Sequence, residues 1–307
     1  MTIVLNSASA VSDPPNAAAS GTWQLGDRTV HRVGLGAMRL TGTAAFHGGV
    51  PRDRDTSIAL VRRAVELGVN HIDTAAFYFS TLRSANEIIN AALAPFRDEV
   101  LIATKVGPRR DRKGAWADAA RPEDLRGDVE ENLRQLGRDH LDLVYLRNMR
   151  WESIAEHFSA LAELRDAGLI RHLGVSDVTP AQLTEAQTIA PVAAVQNRFG
   201  LGDGGAAEVL RACGQAGIAF VPFFAIAGAR ASGAAPDPSN STESAEVLEV
   251  ARAHGVTTQQ IRLAWTLAQG AHVLAIPGTG HPAHLEANIA AGAIRLSPDD
   301  VARLEAA

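Results

Sequence analysis

Asn70-His-Ile-Asp-Thr-Ala-Ala-Phe-Tyr78 is a short apolar run that ends on Asp73, with a tyrosine in the segment that follows. The next run of this kind, Val100-Leu-Ile-Ala-Thr-Lys105, ends on a lysine. Neither run alternates between apolar and polar residues. Each therefore reads as a strand buried on both faces, as in a parallel sheet. An Asp, a Tyr and a Lys at the mouths of adjacent parallel strands can form a proton donor. The ammonium draws the phenol pKa down towards the working range, and the carboxylate holds the lysine in place.

Outward from this stretch the chain alternates. Residues 21–30 read as a hairpin turning at Gly26-Asp27, and residues 33–38 as a first buried strand. Asp55-Thr56 can cap a helix that carries Ile58, Val61 and Val65 on one face and stops at Gly68. After the strand to Asp73 come a helix over 83–93 and the strand to Lys105. Pro122 opens a helix that ends at Gly137. Strands then read over 141–146, 170–175, 192–195, 218–221 and 272–276. Helices fall between and after them: one carrying Ile154, Phe158, Leu161 and Leu164 and ending at Gly168, one from Thr179-Pro180, others at 208–216, 243–253 and 258–267, and one from Pro282. Eight short apolar strands, each followed by a helix or a long loop, predict a single (β/α)8 TIM barrel over 21–307 with an N-terminal β-hairpin. A doubly wound sheet fits less well, because no G-x-G-x-x-G follows the first strand.

Composition narrows the function classes. The chain has 307 residues, 46% hydrophobic and 21% charged, and a net charge of −5 with no basic block, which argues against a nucleic-acid partner. No apolar run approaches the ~20 residues that cross a bilayer. The first 20 residues, rich in Ala, Ser, Asn and Pro, read as a disordered tail and not as a signal peptide. Cys213 is the single cysteine, which excludes an internal disulfide and suits a reducing cytoplasm. The histidines show no metal-ligand spacing; His281 and His284 lack a third ligand nearby.

In a barrel of this kind the chemistry sits at the C-terminal strand ends. Those ends carry Asp73, Lys105, Arg147-Asn148, Ser176-Asp177, Gln196-Asn197 and Pro222-Phe223-Phe224. After the last strand, Ile276-Pro-Gly-Thr-Gly-His281 is a glycine-rich turn opening a helix, an anion site of the type barrels place after strands seven and eight. Ser176, Asp177 and Gln196 can hydrogen-bond a flat amide, and Phe223 offers a face to stack on it. This set describes a nicotinamide cofactor across the mouth with its phosphates at Gly278, Thr279 and Gly280. The plainer readings are a helix cap at Ser176-Asp177, turn glycines at 278 and 280, and a buried ion pair for Arg147. Residues 225–241, rich in Gly, Ala, Pro and Ser, read as a loop that closes over the cofactor or as a surface insertion.

Taken as a set, Gly-Leu-Gly-Ala-Met38, His-Ile-Asp-Thr-Ala with Tyr78, Thr-Lys105, Asp-Leu-Val-Tyr-Leu146, Gly-Val-Ser176, Val-Gln-Asn197, Val-Pro-Phe-Phe224 and Ile-Pro-Gly-Thr279 with Glu286 and Asn288 resemble the aldo-keto reductases over nearly the whole chain. Residues 51–54, 221–224 and 284–285 resemble the bacterial branch that includes a pyridoxal reductase. The resemblance implies hydride transfer from NADPH to an aldehyde or ketone by a monomer or weak homo-oligomer. Tyr78 would protonate the forming alkoxide, Lys105 and Asp73 would tune it, and Arg147 would stand where most members carry a histidine. Arginine stays charged, but it can donate to the substrate oxygen. Asp177 stands where an Asn is usual, and an ionised carboxylate cannot donate to the carboxamide oxygen; Phe79 replaces a usual Gly and Ala76 a polar residue, which rebuilds the substrate wall. His284 would face the 2′-phosphate, with Asn288 alongside. Two further readings differ in class: a cofactor-binding regulatory subunit, and a pathway enzyme reducing an imine or enone.

Overall fold

In the computed structural model, which describes residues 13–42, 50–96, 98–111, 113–226 and 243–306, strand and helix alternate along most of the chain. β1 (Thr22–Leu25) and β2 (Arg28–His31) form an antiparallel hairpin whose turn is Gly26-Asp27. β3 (Leu35–Gly36) is followed by α1 (Arg54–Glu66), β4 (His71–Asp73), α2 (Ala85–Leu93) and β5 (Leu101–Val106). Then come α3 (Leu125–Leu136), β6 (Leu141–Arg147), α4 (Ala155–Asp166), β7 (Ile170–Ser176), α5 (Pro180–Ile189) and β8 (Val192–Gln196). The last part holds α6 (Ala207–Ala216), β9 (Ala219–Phe220), α7 (Ala245–His254), α8 (Thr258–Ala268), α9 (Pro282–Ala290) and α10 (Pro298–Glu305).

β3 to β9 form one seven-stranded sheet, parallel and paired in chain order. The expected eighth strand over 272–276 is reduced to isolated bridges. Phe220 N donates to His272 O (2.9 Å) and Leu274 N to Phe220 O (2.9 Å). On the other side, Ala275 N donates to Arg32 O and Gly34 N to Ala275 O, both at 2.8 Å. One short segment thus bonds to both edges of the sheet. The pairing continues through Pro277, whose carbonyl accepts from Gly36 N at 3.2 Å.

Local chemistry places most boundaries. Thr179 caps α5 through a reciprocal box with Gln182, and Gly137 ends α3 in the left-handed region at φ 61°. α1 is capped by Asp53, whose carboxylate accepts from Thr56 N (2.8 Å), and not by Asp55. Asp55 sits in the first turn, where its charge faces the positive end of the helix. Of the expected tail over 1–20, residues 1–12 lie outside the described residues, and the described part is ordered at its end: Ala17–Ser20 form a 3-10 turn, capped by Asn16, with Ala17 and Ser20 buried. Ser20 Oγ accepts from Val33 N, which ties this segment to the chain entering β3. The expected loop over 225–241 lies outside the described residues beyond Ile226.

The apolar side chains divide in two. The larger cluster lies between the sheet and its helices. The smaller holds Leu101, Ala103, Leu143, Tyr145 and Leu274 on the inner face, together with Leu25 and Val30 of the hairpin. Tyr145 fits there because Gly174 faces it: a Cβ at 174 would lie 2.6 Å from the tyrosine ring. Asp27 N donates to His172 Nε2 (3.2 Å) near the start of β7, so the hairpin covers the N-terminal end of the sheet. The polar groups collect at the other end.

Candidate active site

Parallel pairing sets the site. Arg147, Ser176 and Gln196 share one register level at the ends of β6, β7 and β8, and Lys105 lies one level below, in register with Tyr145. Asp73 ends β4 and joins them. Lys105 Nζ donates to Asp73 Oδ1 (2.6 Å) and to Thr74 O (3.0 Å). Gln196 Nε2 donates to the other carboxylate oxygen, Asp73 Oδ2, at 2.7 Å. Lys105 also hydrogen-bonds the Tyr78 hydroxyl, with its nitrogen 5.0 Å from the ring centroid. All four residues are buried.

Burial by itself would lower the Lys105 pKa, but Asp73 and then Tyr78 outweigh it and the pKa is raised. For Tyr78 the balance differs from the sequence expectation. Burial pushes the phenol up, and the opposing pull of Lys105 and, more weakly, Arg147 does not overcome it, so the net shift is upward. The sequence shows the ammonium; it does not show the water removed around the ring. A raised phenol is protonated at neutral pH and can donate its proton.

Arg147 lies on the far side of this group. Nη1 donates to Ser176 Oγ (3.3 Å), Nη2 pairs with Asp177 Oδ2 (3.1 Å), and the guanidinium sits 5.0 Å from the Phe223 ring centroid. Burial lowers its pKa and Asp177 opposes that; the group remains a cation. Asp177 has φ 60°, a left-handed conformation that Asp and Asn tolerate. Its carboxylate is engaged by Arg147, so it does not stand free beside Ser176 as the amide-binding trio expects. Gln196 likewise spends its N–H on Asp73 and keeps its carbonyl oxygen for another donor. Asn148 was legible only as a polar strand end. It donates to Asp177 O and to Gln182 Oε1, both at 3.2 Å, and so fixes the Asp177 turn.

The glycine-rich turn leads into α9 as expected. Thr279 Oγ1 accepts from His281 N (3.0 Å), and no side chain caps the helix at His281. Gly278 is exposed, Thr279 and Asn288 are buried, and His284 is exposed with its ring 5.0 Å from that of His281. Sequence reasoning missed Arg52. A Cβ on Gly280 would lie 2.1 Å from the Arg52 Cζ, so the guanidinium fills the space a side chain would take. Among the described residues its buried Nε has no hydrogen-bond partner. The signal in sequence was an arginine pair at 52 and 54, whose place beside the last turn only folding reveals. Glu286, one of the motif residues, pairs with Arg63 of α1 at 2.9 Å.

Residues 32–307 match the model of the aldo/keto reductase family. The chain belongs to that family. Among curated aldo/keto reductase relatives, it is 39% identical to a pyridoxine 4-dehydrogenase of Escherichia coli strain K12, over 94% of this chain and 98% of the relative. Among solved structures, it resembles a thermostable aldo-keto reductase in complex with the inhibitor epalrestat. The TM-score is 0.76 and the identity 28%, covering 93% of this chain and 98% of that one. It also resembles an aldo-keto reductase from Klebsiella pneumoniae in complex with NADPH, with a TM-score of 0.75 and 27% identity over 93% and 94% of the two chains. As an aldo/keto reductase the protein is an NAD(P)H-dependent oxidoreductase. Among the described residues no group of three His, Cys, Asp or Glu side chains can hold a metal, and no helix is long and apolar enough to cross a membrane.

Proposed function

We propose that this aldo/keto reductase reduces an aromatic aldehyde of the pyridoxal type with NADPH, and that Tyr78 is its proton donor. The observation that carries the proposal is the buried chain Gln196–Asp73–Lys105–Tyr78, in which both carboxylate oxygens are occupied and the ammonium reaches the phenol. Asp73 holds Lys105, Lys105 holds the hydroxyl, and burial keeps the hydroxyl protonated. Arg147, on the opposite side, donates to the carbonyl oxygen as charge develops there. Donation of this type by a placed acid contributes about 10²–10⁴-fold.

When bound, NADPH supplies the hydride. The residues fit that cofactor: Arg52 carries a buried Nε without a partner, and it lies over Gly280 at the uncapped start of α9, where an anion is favoured. Arg52, Thr279 and the first N–H groups of α9 would hold phosphate, with His284 and Asn288 on the same helix. Ser176 and Gln196 would hold the carboxamide, and Phe223 would face the ring. The bonds from 272–276 to both sheet edges support reading that segment as the eighth strand, which closes a (β/α)8 barrel around the inner core. Phe77, Phe79 and Trp116 gather beside Tyr78, and Phe77 packs edge-on against it at 5.1 Å, which supports a flat aromatic substrate. We also propose a cytoplasmic monomer or weak homo-oligomer. The single cysteine, Cys213, supports the compartment, since the chain can form no internal disulfide.

The test is NADPH oxidation against a panel of aldehydes and ketones that includes pyridoxal. Saturable turnover, with one alcohol formed per NADPH consumed, is expected. NADPH binding without turnover on any carbonyl would replace the enzyme with a regulatory binding protein. Turnover on imines or enones alone would replace the carbonyl.

A further inference from the structure

We propose that Arg110 is a positioning residue for Tyr78, a role that rests on the reading of Tyr78 as the proton donor. Arg110 leaves the end of β5 in the segment 107–120, which lies against the segment that carries Tyr78. Its Nη1 donates to Phe77 O and to Phe79 O, both at 2.9 Å, so one nitrogen bonds the carbonyls on either side of the tyrosine. Its Nε donates to Gly114 O (2.9 Å), within a turn that Arg110 and Trp116 close by backbone pairing. The Tyr78 carbonyl itself accepts from Ala85 N (2.8 Å). Three consecutive carbonyls, at 77, 78 and 79, are thereby fixed, two of them by one guanidinium.

The packing around the guanidinium supports the same role. It lies 4.1 Å from the Phe79 ring centroid and 5.9 Å from that of Trp116. Trp116 is 6.0 Å from Phe77, which packs edge-on against Tyr78. Burial lowers the Arg110 pKa, as expected for a cation whose donors serve peptide oxygens more than water. A planar fork is the group that can hold three carbonyls on two segments at once; a lysine ammonium cannot reproduce that geometry. Gly114, at φ 83°, leaves room for it, since a Cβ there would lie 2.7 Å from Nη2. Arg110 makes no contact with the carbonyl substrate in this account. It sets where the Tyr78 hydroxyl sits relative to Lys105.

The experiment compares Arg110→Met, Arg110→Lys and Gly114→Ala with the wild type. The readouts are kcat, KM for the aldehyde, the Kd of NADPH by fluorescence quenching, and the pH dependence of kcat/KM. A misplacement of about 1 Å is worth roughly 10²-fold in rate. All three variants are expected to lose kcat by about 10- to 10²-fold, with the NADPH Kd unchanged. The alkaline limb moves to higher pH, because a phenol further from Lys105 loses the group that lowers its pKa. If Arg110→Met does not fold, Arg110→Lys and Gly114→Ala are read the same way. Wild-type kcat with an unshifted pH profile in any folded variant overturns the proposal. Failure of the Tyr78 reading is separable: Tyr78→Phe would then turn over normally, whereas a dead Tyr78→Phe beside normal Arg110 variants rejects the positioning role alone.

Discussion

Asp73 gives one carboxylate oxygen to Lys105 and the other to Gln196, and this division accounts for most of the site's rigidity. Removing one partner of a buried pair leaves the other charge without compensation, at a cost of about 3–5 kcal/mol. Asp73→Asn is expected to lose that much in urea unfolding, and an unchanged midpoint would contradict it. The phenol gives a second prediction at this scale. Its pKa is raised, so aldehyde reduction, which needs the proton present, holds level through neutral pH and falls only as pH rises through the phenol's titration. Oxidation of the alcohol needs the proton absent and should increase with pH over the same range. Lys105→Met removes the nearest group that lowers the phenol's pKa, and the reduction limb should move further alkaline; an unmoved limb would remove Lys105 from the tuning role. Asp73, Lys105 and Gln196 were legible because a parallel sheet fixes where strand ends lie. The sign of the phenol shift was not, because desolvation depends on the ring's neighbours, Phe77 and Lys105 among them.

At the scale of the element, His71 opens β4 with both ring nitrogens buried. Burial, with a smaller contribution from His31, brings its pKa down to about 4. The unfolded chain therefore takes up a proton near pH 6.5 that the folded one refuses until about 4. Stability should fall by up to about 3 kcal/mol as pH drops across that window. His71→Leu should flatten this part of a stability-versus-pH curve measured by urea unfolding; an equally steep curve would assign the loss to other groups. Elements with strong end signals were readable from sequence, such as the Gly26-Asp27 turn and the box at Thr179-Pro180. α10 was not read from sequence, although Ser297 and Asp300 form a reciprocal box at its start, because few apolar residues follow them. The expected strand over 272–276 proves to be isolated bridges: its apolar run is clear in sequence, but its pairing to two different edges appears only in the fold.

For the molecule as a whole, the inner core ties the hairpin at one end to the site at the other through a single stack of side chains. Tyr145 stands in its middle, level with Lys105 and opposite Gly174. Tyr145→Ala would open a cavity where nothing small can move in, at a cost of about 3–5 kcal/mol by analogy with other aromatic deletions. Gly174→Ala would press a methyl into the same ring. Thermal melts of the two variants should both fall, and a wild-type melt for either would show that the core tolerates what this packing forbids. The two-layer arrangement followed from the run of unalternating apolar strands; the pairing of Arg52 with Gly280 did not, because residues so far apart in sequence meet only once the sheet has curled. Proton delivery depends on one hydroxyl, and single-turnover reduction of pyridoxal by Tyr78→Phe, with NADPH binding measured on the same sample, tests it most directly. The expected result is unchanged NADPH affinity with the reduction rate down by about 10²-fold or more; reduction at the wild-type rate would contradict the assignment of Tyr78 as the acid.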